Sequence, residues 1–203
     1  MGIELEYKLA AANPAQLEQI LFDPQVKEVQ VGVYQIFEMA TIYYDTPDRR
    51  LGTLRWTLRL RQENNQLVAT LKTPYQGKIR GEWSCEAANI QEAVPVLLET
   101  GAPEELTGLL SGQTLEPVCA ARFTRRAANL RFADGSVCEL AGDVGLLAGG
   151  GKEEALCEIE VELKSGDAAT AEAFARELQD KFGLREEPLS KFARASALAE
   201  GKR

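Results

Sequence analysis

The sequence predicts an α+β fold built around an antiparallel sheet or barrel. Three observations carry that prediction. Apolar and polar residues alternate with period two along much of the chain, the pattern of strands with one buried face. Strand-like segments fall in two groups, each followed by helical segments, an order that suits α+β rather than repeated βαβ units. The polar faces of those strands also collect charge of both signs. IELEYK at 3–8 sets Glu4, Glu6 and Lys8 against Ile3, Leu5 and Tyr7. EIEVELK at 158–164 sets Glu158, Glu160, Glu162 and Lys164 against Ile159, Val161 and Leu163.

After the first strand, NPAQLEQIL at 13–21 reads as a short helix, with Asn13 as cap and Pro14 in the first turn. Strand signals follow over 26–44, clearest at 33–43, and TPDRRLGT at 46–53 reads as a turn. Strands are expected at 55–62, 66–73 and 81–87, the first two joined by an Asn64-Asn65 hairpin. Residues 90–110 read as one or two short helices broken by Gly101 and Pro103. A second strand group covers 116–126, 128–133, 136–144 and 155–164, with a hairpin turn at 134–136 and a Gly-rich loop at 145–154. Helices at 168–182 and 188–199 finish the chain, Gly183 ending the first and Pro188 beginning the second. With 203 residues and no linker, one domain spanning 1–203 is expected.

Composition narrows the function classes. The net charge of -8 argues against a generic nucleic-acid binder. No apolar run approaches the ~18 residues of a membrane span, and the N-terminus has no signal-peptide pattern, so a cytoplasmic protein is expected. Cys85, Cys119, Cys138 and Cys157 are scattered without a CxxC pair and read as buried reduced thiols. The chain has no histidine, which removes His-based triads, HExxH zinc sites and His-liganded iron. Chemistry must then come from carboxylates, Lys, Arg, Tyr, Ser, Cys or a metal held by oxygen. GGGK at 149–152 is no P-loop, because Leu146 stands where the first Gly belongs and Glu153 where Ser or Thr belongs. Tyr43 and Tyr44 read as packing residues.

The alternation places Arg55, Arg59, Arg61, Thr70 and Lys72 on the charged face, then Arg80, Glu82, Ser84, Glu86, Glu139 and Asp143. The other face takes Trp56, Leu58, Leu60, Leu71, Trp83 and Leu140. A single strand of this kind is an ordinary half-solvated strand. As a set, the end strands supply acids and the middle strands mainly Arg and Lys. A closed barrel with polar faces inward would use such a set, since a barrel of about eight strands has room for side chains or one small ligand. The strand at 118–126 stays open, with Arg122 and Arg126 on one face and Arg125 on the other.

The ordered motifs resemble a known family. The ExExK of Glu4, Glu6 and Lys8 is similar to the hallmark of the CYTH domain, or triphosphate tunnel metalloenzyme, family. YYDTPD at 43–48, LRLR at 58–61, TLK at 70–72, RGE at 80–82, FTR at 123–125, an Asp143-x-Gly145 turn and EIE at 158–160 follow in the family's order. SKFARA at 190–195 resembles the ending of the inorganic-triphosphatase branch, here without the helical CHAD domain that many members carry. The resemblance implies a closed eight-stranded antiparallel tunnel with a polar interior, helices packed outside, and Arg125 facing inward. It implies metal-dependent hydrolysis of a triphosphate, foremost inorganic tripolyphosphate to pyrophosphate and phosphate. A class IV adenylyl cyclase, a thiamine triphosphatase and a non-catalytic polyphosphate-binding module are the alternatives.

Under that resemblance, Lys8, Arg59, Arg61, Lys72, Arg125 and Lys191 would bind phosphate, with Glu82 beside them. Glu4, Glu6, Glu158 and Glu160 would hold one or two Mg2+ or Mn2+ ions, with Asp143 a weaker candidate. The catalytic set would be Glu4, Glu6, Lys8 and Lys191, with Glu4 or Glu6 acting on the attacking water. Lys191 would reach inward from a plug helix at Pro188–Ala199 whose docking face is Leu189, Phe192, Ala193 and Ser196. The expected partner is a small-molecule triphosphate, with no nucleic acid and no membrane, and a homodimer is left open.

Overall fold

The structure, a computed structural model, describes residues 2–76 and 79–202. The chain opens with β1 (Gly2–Glu4), β2 (Glu6–Ala10), α1 (Pro14–Leu21), α2 (Pro24–Val29) and β3 (Gln30–Asp45). The single turn α3 (Arg50–Thr53) leads to β4 (Thr57–Glu63), β5 (Gln66–Gln76) and β6 (Ile79–Glu86), then to α4 (Ile90–Glu99) and α5 (Glu105–Leu110). The second half holds β7 (Glu116–Arg131), β8 (Val137–Gly149), β9 (Lys152–Ser165), α6 (Ala168–Phe182), β10 (Arg185–Glu186) and α7 (Lys191–Ala199).

Antiparallel pairing joins the strands in the order β1, β6, β5, β4, β3, β7, β8, β9, β2, β10. The sheet is strongly curled. The chain's first two strands lie at opposite sides of that order. β1 ends it on one side and pairs with β6, while β2 pairs with β9 on the other, followed only by the two-residue β10, and only Leu5 separates β1 from β2. The Leu5 carbonyl still accepts a hydrogen bond from the Leu163 N–H at 2.9 Å.

The two faces of the sheet are sorted as the alternation predicts. On the convex face, Leu58, Leu71 and Trp83 pack under α4 and α5 with Ile90, Leu97 and Leu106. Leu140, Ile159 and Val161 pack with Leu17, Ile20 and Leu21 of α1 and Phe174 and Leu178 of α6. Each such fully buried Leu or Ile contributes about 1.5–3 kcal/mol. The side chain of Ile3, expected on this face, lies outside the described residues. The four cysteines are free; Cys119 and Cys138 are buried and the other two half-buried.

The concave face differs from expectation in one respect: one end of it is apolar. Tyr43, Ala121, Phe123, Leu147 and Leu156 pack there against Ala195 and Leu198 of α7. The helix comes so close that a Cβ on Gly149 would lie 2.3 Å from the Ala195 carbonyl oxygen. Glycine is therefore required at 149 by packing.

Several boundaries are corrected. Residues 26–29 are helical, because Asp23 caps α2 through the Gln25 N–H and Pro24 starts it. The expected strands at 116–126 and 128–133 form one strand, β7, held on both edges by β3 and β8 despite helix-favouring residues such as Ala127 and Ala128. The expected loop at 145–154 is a tight hairpin, in which consecutive Gly150 and Gly151 take positive φ of 59° and 77°. The Asp143-x-Gly145 segment is mid-strand rather than a turn. Gly145 lets the chains approach, since a Cβ there would lie 2.1 Å from the Arg122 carbonyl oxygen. The last helix begins at Lys191 with Ser190 as its cap, so Pro188 stands outside it. Its buried face is Lys191, Arg194, Ala195 and Leu198; Leu189 is 42 % exposed.

Candidate active site

The concave face encloses a cavity of about 310 Å³. Among the described residues, eight cations line it: Lys8, Lys72, Lys164 and Lys191 with Arg59, Arg61, Arg80 and Arg125. Seven carboxylates line it with them: Glu4, Glu6, Glu63, Glu82, Glu139, Glu160 and Glu162. Every-second-residue spacing delivers this set, because residues i and i+2 of a strand share a face. Arg59 and Arg61 project from β4, Lys72 from β5, Arg80 and Glu82 from β6, and Arg125 from β7. Thus Arg125 faces inward. Arg122 is exposed on the other face, and Arg126 is paired there with Glu18.

At the end nearest α7 the acids are deeply buried. Asp143 of β8 and Glu158 and Glu160 of β9 each offer one oxygen within 4.8 Å of the others. Three cations meet them. The Lys191 ammonium lies 2.7 Å from Asp143 Oδ2 and 2.6 Å from Glu160 Oε1, and it also pairs with Glu158 Oε1. The Arg125 guanidinium donates to both oxygens of Asp143, at 2.8 and 2.7 Å, and to Glu160 Oε2. Arg194 donates to Glu158 Oε2 at 2.9 Å and to Glu154. All six carboxylate oxygens are therefore paired.

This crowding moves proton affinities. Burial pushes Glu158 up to about 7, with Glu160 and Asp143 adding to the rise and Lys191 opposing it. Glu160 is also penalised by burial, but Lys191 and Arg125 outweigh that and hold its pKa well below the ordinary carboxylate range. Burial likewise opposes the Lys191 charge, and Asp143, Glu160 and Glu158 outweigh it, so its pKa is raised.

The opposite wall is less complete. Glu4 pairs through Oε1 with Lys72, yet its Oε2 is buried with no hydrogen-bond partner among the described residues. Arg59 Nε is likewise buried without one. Arg61 is oriented by Thr41, whose hydroxyl accepts from Nε at 2.9 Å. Burial, with Arg59 and Arg125 nearby, pushes the Arg61 pKa down to about 10, which leaves it charged at neutral pH. Lys8 lies 3.0 Å from Glu6; burial opposes its charge, while Glu6, Glu160 and Glu158 raise its pKa.

Most of the residues picked from the sequence line the cavity. Glu4, Glu6, Lys8, Arg59, Arg61, Lys72, Glu82, Arg125, Glu160 and Lys191 line the cavity. Glu158 and Asp143 lie beneath it as Lys191 partners, Asp143 on equal terms with the glutamates. Arg55 falls in the turn before β4 and is exposed, its carbonyl accepting from Arg80. Arg194 and Thr41 were missed as site residues. Arg194 carries a legible signal, one helical turn after Lys191 in SKFAR. The YYDTPD motif is structural in part: the buried Asp45 carboxylate accepts from the N–H groups of Thr46, Leu51 and Gly52, fixing the turn and α3.

Comparison with known proteins gives the kinship. The pattern of the family described as CYTH domain matches residues 2–196. The chain belongs to the CYTH domain family. Over 172 residues this CYTH domain is 33 % identical to a protein of Haemophilus influenzae named inorganic triphosphatase, covering 81 % of the chain and 46 % of that protein. The chain thus spans about half the length of the curated relative it matches. Among solved structures, HpAC1 from Hippeastrum, described as having a dominant triphosphatase activity, superposes with a TM-score of 0.58 at 18 % identity, over 100 % of this CYTH domain and 97 % of that chain. A Pyrococcus horikoshii protein superposes with a TM-score of 0.56 at 21 % identity, over 98 % and 99 % of the two chains. At those identities the likeness establishes a shared fold.

Proposed function

We propose that this CYTH domain, acting as a single unit over 1–203, hydrolyses a triphosphate with a divalent metal ion. Inorganic tripolyphosphate, cleaved to pyrophosphate and phosphate, is the substrate the site fits best. The observation that carries this reading is the cavity itself, where eight cations and seven carboxylates of the described residues share about 310 Å³. An anion-binding pocket has no need of so many acids, and a cation site has no need of so many arginines and lysines. The name and identity of the Haemophilus influenzae relative point the same way. So do the pairings of β1 with β6 and of β2 with β9, which support a sheet closed as an eight-stranded tunnel when β1 and β2 are counted as one strand and the two-residue β10 is left out.

In this reading Arg59, Arg61, Lys72, Arg80 and Arg125 take the phosphate oxygens, the arginines by forked contacts. Thr41 presets Arg61. The buried Arg59 Nε gains the partner it lacks. Glu4, Glu6, Glu158, Glu160 and Asp143 are the oxygen donors available to Mg2+ or Mn2+, which prefer carboxylates; the unpaired, buried Glu4 Oε2 fits that need. When bound, such an ion offsets developing negative charge on the phosphoryl group. Glu6 or Glu4 orients the attacking water and accepts its proton. Lys8 and Lys191 add positive charge beside the leaving phosphate.

The test is a panel of tripolyphosphate, pyrophosphate, ATP and thiamine triphosphate with Mg2+ or Mn2+. We expect kcat/KM for tripolyphosphate to exceed that for ATP at least tenfold, with pyrophosphate poor because it reaches too few cations. Cyclic AMP formation from ATP with little tripolyphosphate cleavage would move the assignment to a cyclase.

A further inference from the structure

We propose that Lys191 and a divalent cation are alternative occupants of the Asp143–Glu158–Glu160 pocket, so that Lys191 must leave these acids before the pocket can take an ion. The inference rests on reading the cavity as a metal-dependent site and concerns the order in which its charges assemble.

The ammonium of Lys191 is placed as a bound cation would be. A lysine has three N–H donors, and Lys191 spends them on one oxygen from each of the three acids. The remaining three oxygens belong to Arg125 and Arg194. Each of the six oxygens therefore has a cation against it, and none is free to take an ion. A hard divalent ion needs carboxylate oxygens that are free to ligate it. With Lys191 in place it would meet a buried ammonium at contact distance and no free oxygen.

Lys191 can leave without unfolding anything. It lines the cavity as well as touching the acids, so a turn of its side chain carries the ammonium toward a phosphate oxygen. The backbone of α7 stays where it is, pinned against Gly149 and by Ala195 and Leu198 in the apolar end of the concave face. Arg194, one turn along the same helix, keeps Glu158 oriented through Oε2. An arriving triphosphate draws Lys191 off the acids, and the pocket it vacates carries uncompensated negative charge. Substrate and ion then bind with positive coupling, each strengthening the other by the same factor.

The test is binding of Mn2+ alone, without substrate, followed by the electron paramagnetic resonance signal of free Mn2+. Wild type, Lys191→Met and Lys191→Arg are compared. We expect Lys191→Met to bind Mn2+ at least tenfold more tightly than wild type or to gain a further ion per chain, while Lys191→Arg stays like wild type. Because Lys191→Met leaves the acids undercompensated, its thermal midpoint is read with and without Mn2+; a larger Mn2+-induced rise than in wild type is expected. Hydrolysis by Lys191→Met should fall while its ion binding rises, opposite directions that a merely structural role would not give. Equal Mn2+ binding by wild type and Lys191→Met would overturn the exchange and leave the triphosphatase reading intact. No Mn2+ binding by either would overturn both.

Discussion

On the wall formed by β8, β9 and α7, all six oxygens of Asp143, Glu158 and Glu160 have a cation against them. On the wall formed by β1, β4 and β5, Glu4 Oε2 and Arg59 Nε are buried with no hydrogen-bond partner among the described residues. Both walls are made by the same strand alternation and carry the same residue types. The difference is α7, which brings Lys191 and Arg194 to one wall only. A buried polar atom left without a hydrogen bond is costly, so unbonded atoms on one wall are where a ligand has most to gain. The paired wall is a complete network whose cations must be rearranged before its acids can serve anything else.

The largest effects should come from the open wall. Arg59→Ala or Arg61→Ala removes a forked, charge-assisted contact worth about 1.5–3 kcal/mol, or roughly 10- to 150-fold in kcat/KM for tripolyphosphate. Arg61→Lys should recover little, because it loses the fork and the Nε bond to Thr41. Steady-state kinetics of the three variants check this. Lys191→Ala should lower kcat/KM at least about tenfold, by the same arithmetic for one charge-assisted contact.

On the paired wall, Glu158 and Glu160 should separate by pH. The raised pKa of Glu158, about 7, means that the folded state holds its proton more tightly than the unfolded state. Its contribution is favourable at low pH and is lost as pH rises toward 7. Glu160, with a lowered pKa, contributes stability at neutral pH that is lost as pH falls. In metal-free protein, the thermal midpoint of Glu158→Gln relative to wild type should therefore rise between pH 5 and pH 8. The same quantity for Glu160→Gln should stay nearly flat over that range and rise only as pH falls below about 4.5, where the unfolded carboxylate takes up its proton. Parallel trends would mean that the two acids are not held in different charge states.

The smallest effect is expected outside the cavity. Lys181 of α6 pairs with Asp23 at 2.7 Å on the surface. Lys181→Ala should change activity less than twofold and stability by no more than about 1 kcal/mol.

The concave face was legible because strand alternation has a fixed period. Glu4, Glu6, Arg59, Arg61, Lys72 and Glu160 could be assigned to one face without knowing any contact. Arg125 could not, since RFTRR offers arginines of both parities, and pairing between β3 and β8 settles it. The register of α7 was also hidden. Leu189 and Ser196 looked like docking residues by apolarity and spacing, whereas the helix buries the charged Lys191 and Arg194 against acids supplied from far along the chain. Hydrophobic periodicity has no means of showing a helix face held by ion pairs. Gly145 and Gly149 read as loop residues, because close approach of two backbones leaves no mark in one sequence except the glycine itself.

The central claim is that acids and bases share one cavity because a metal ion and a triphosphate share it. Hydrolysis of tripolyphosphate by the purified protein, followed as release of pyrophosphate and phosphate, tests this most directly. In EDTA the account predicts no turnover, and full activity on adding excess Mg2+ or Mn2+. Undiminished turnover in chelator, or none with either ion, would contradict it.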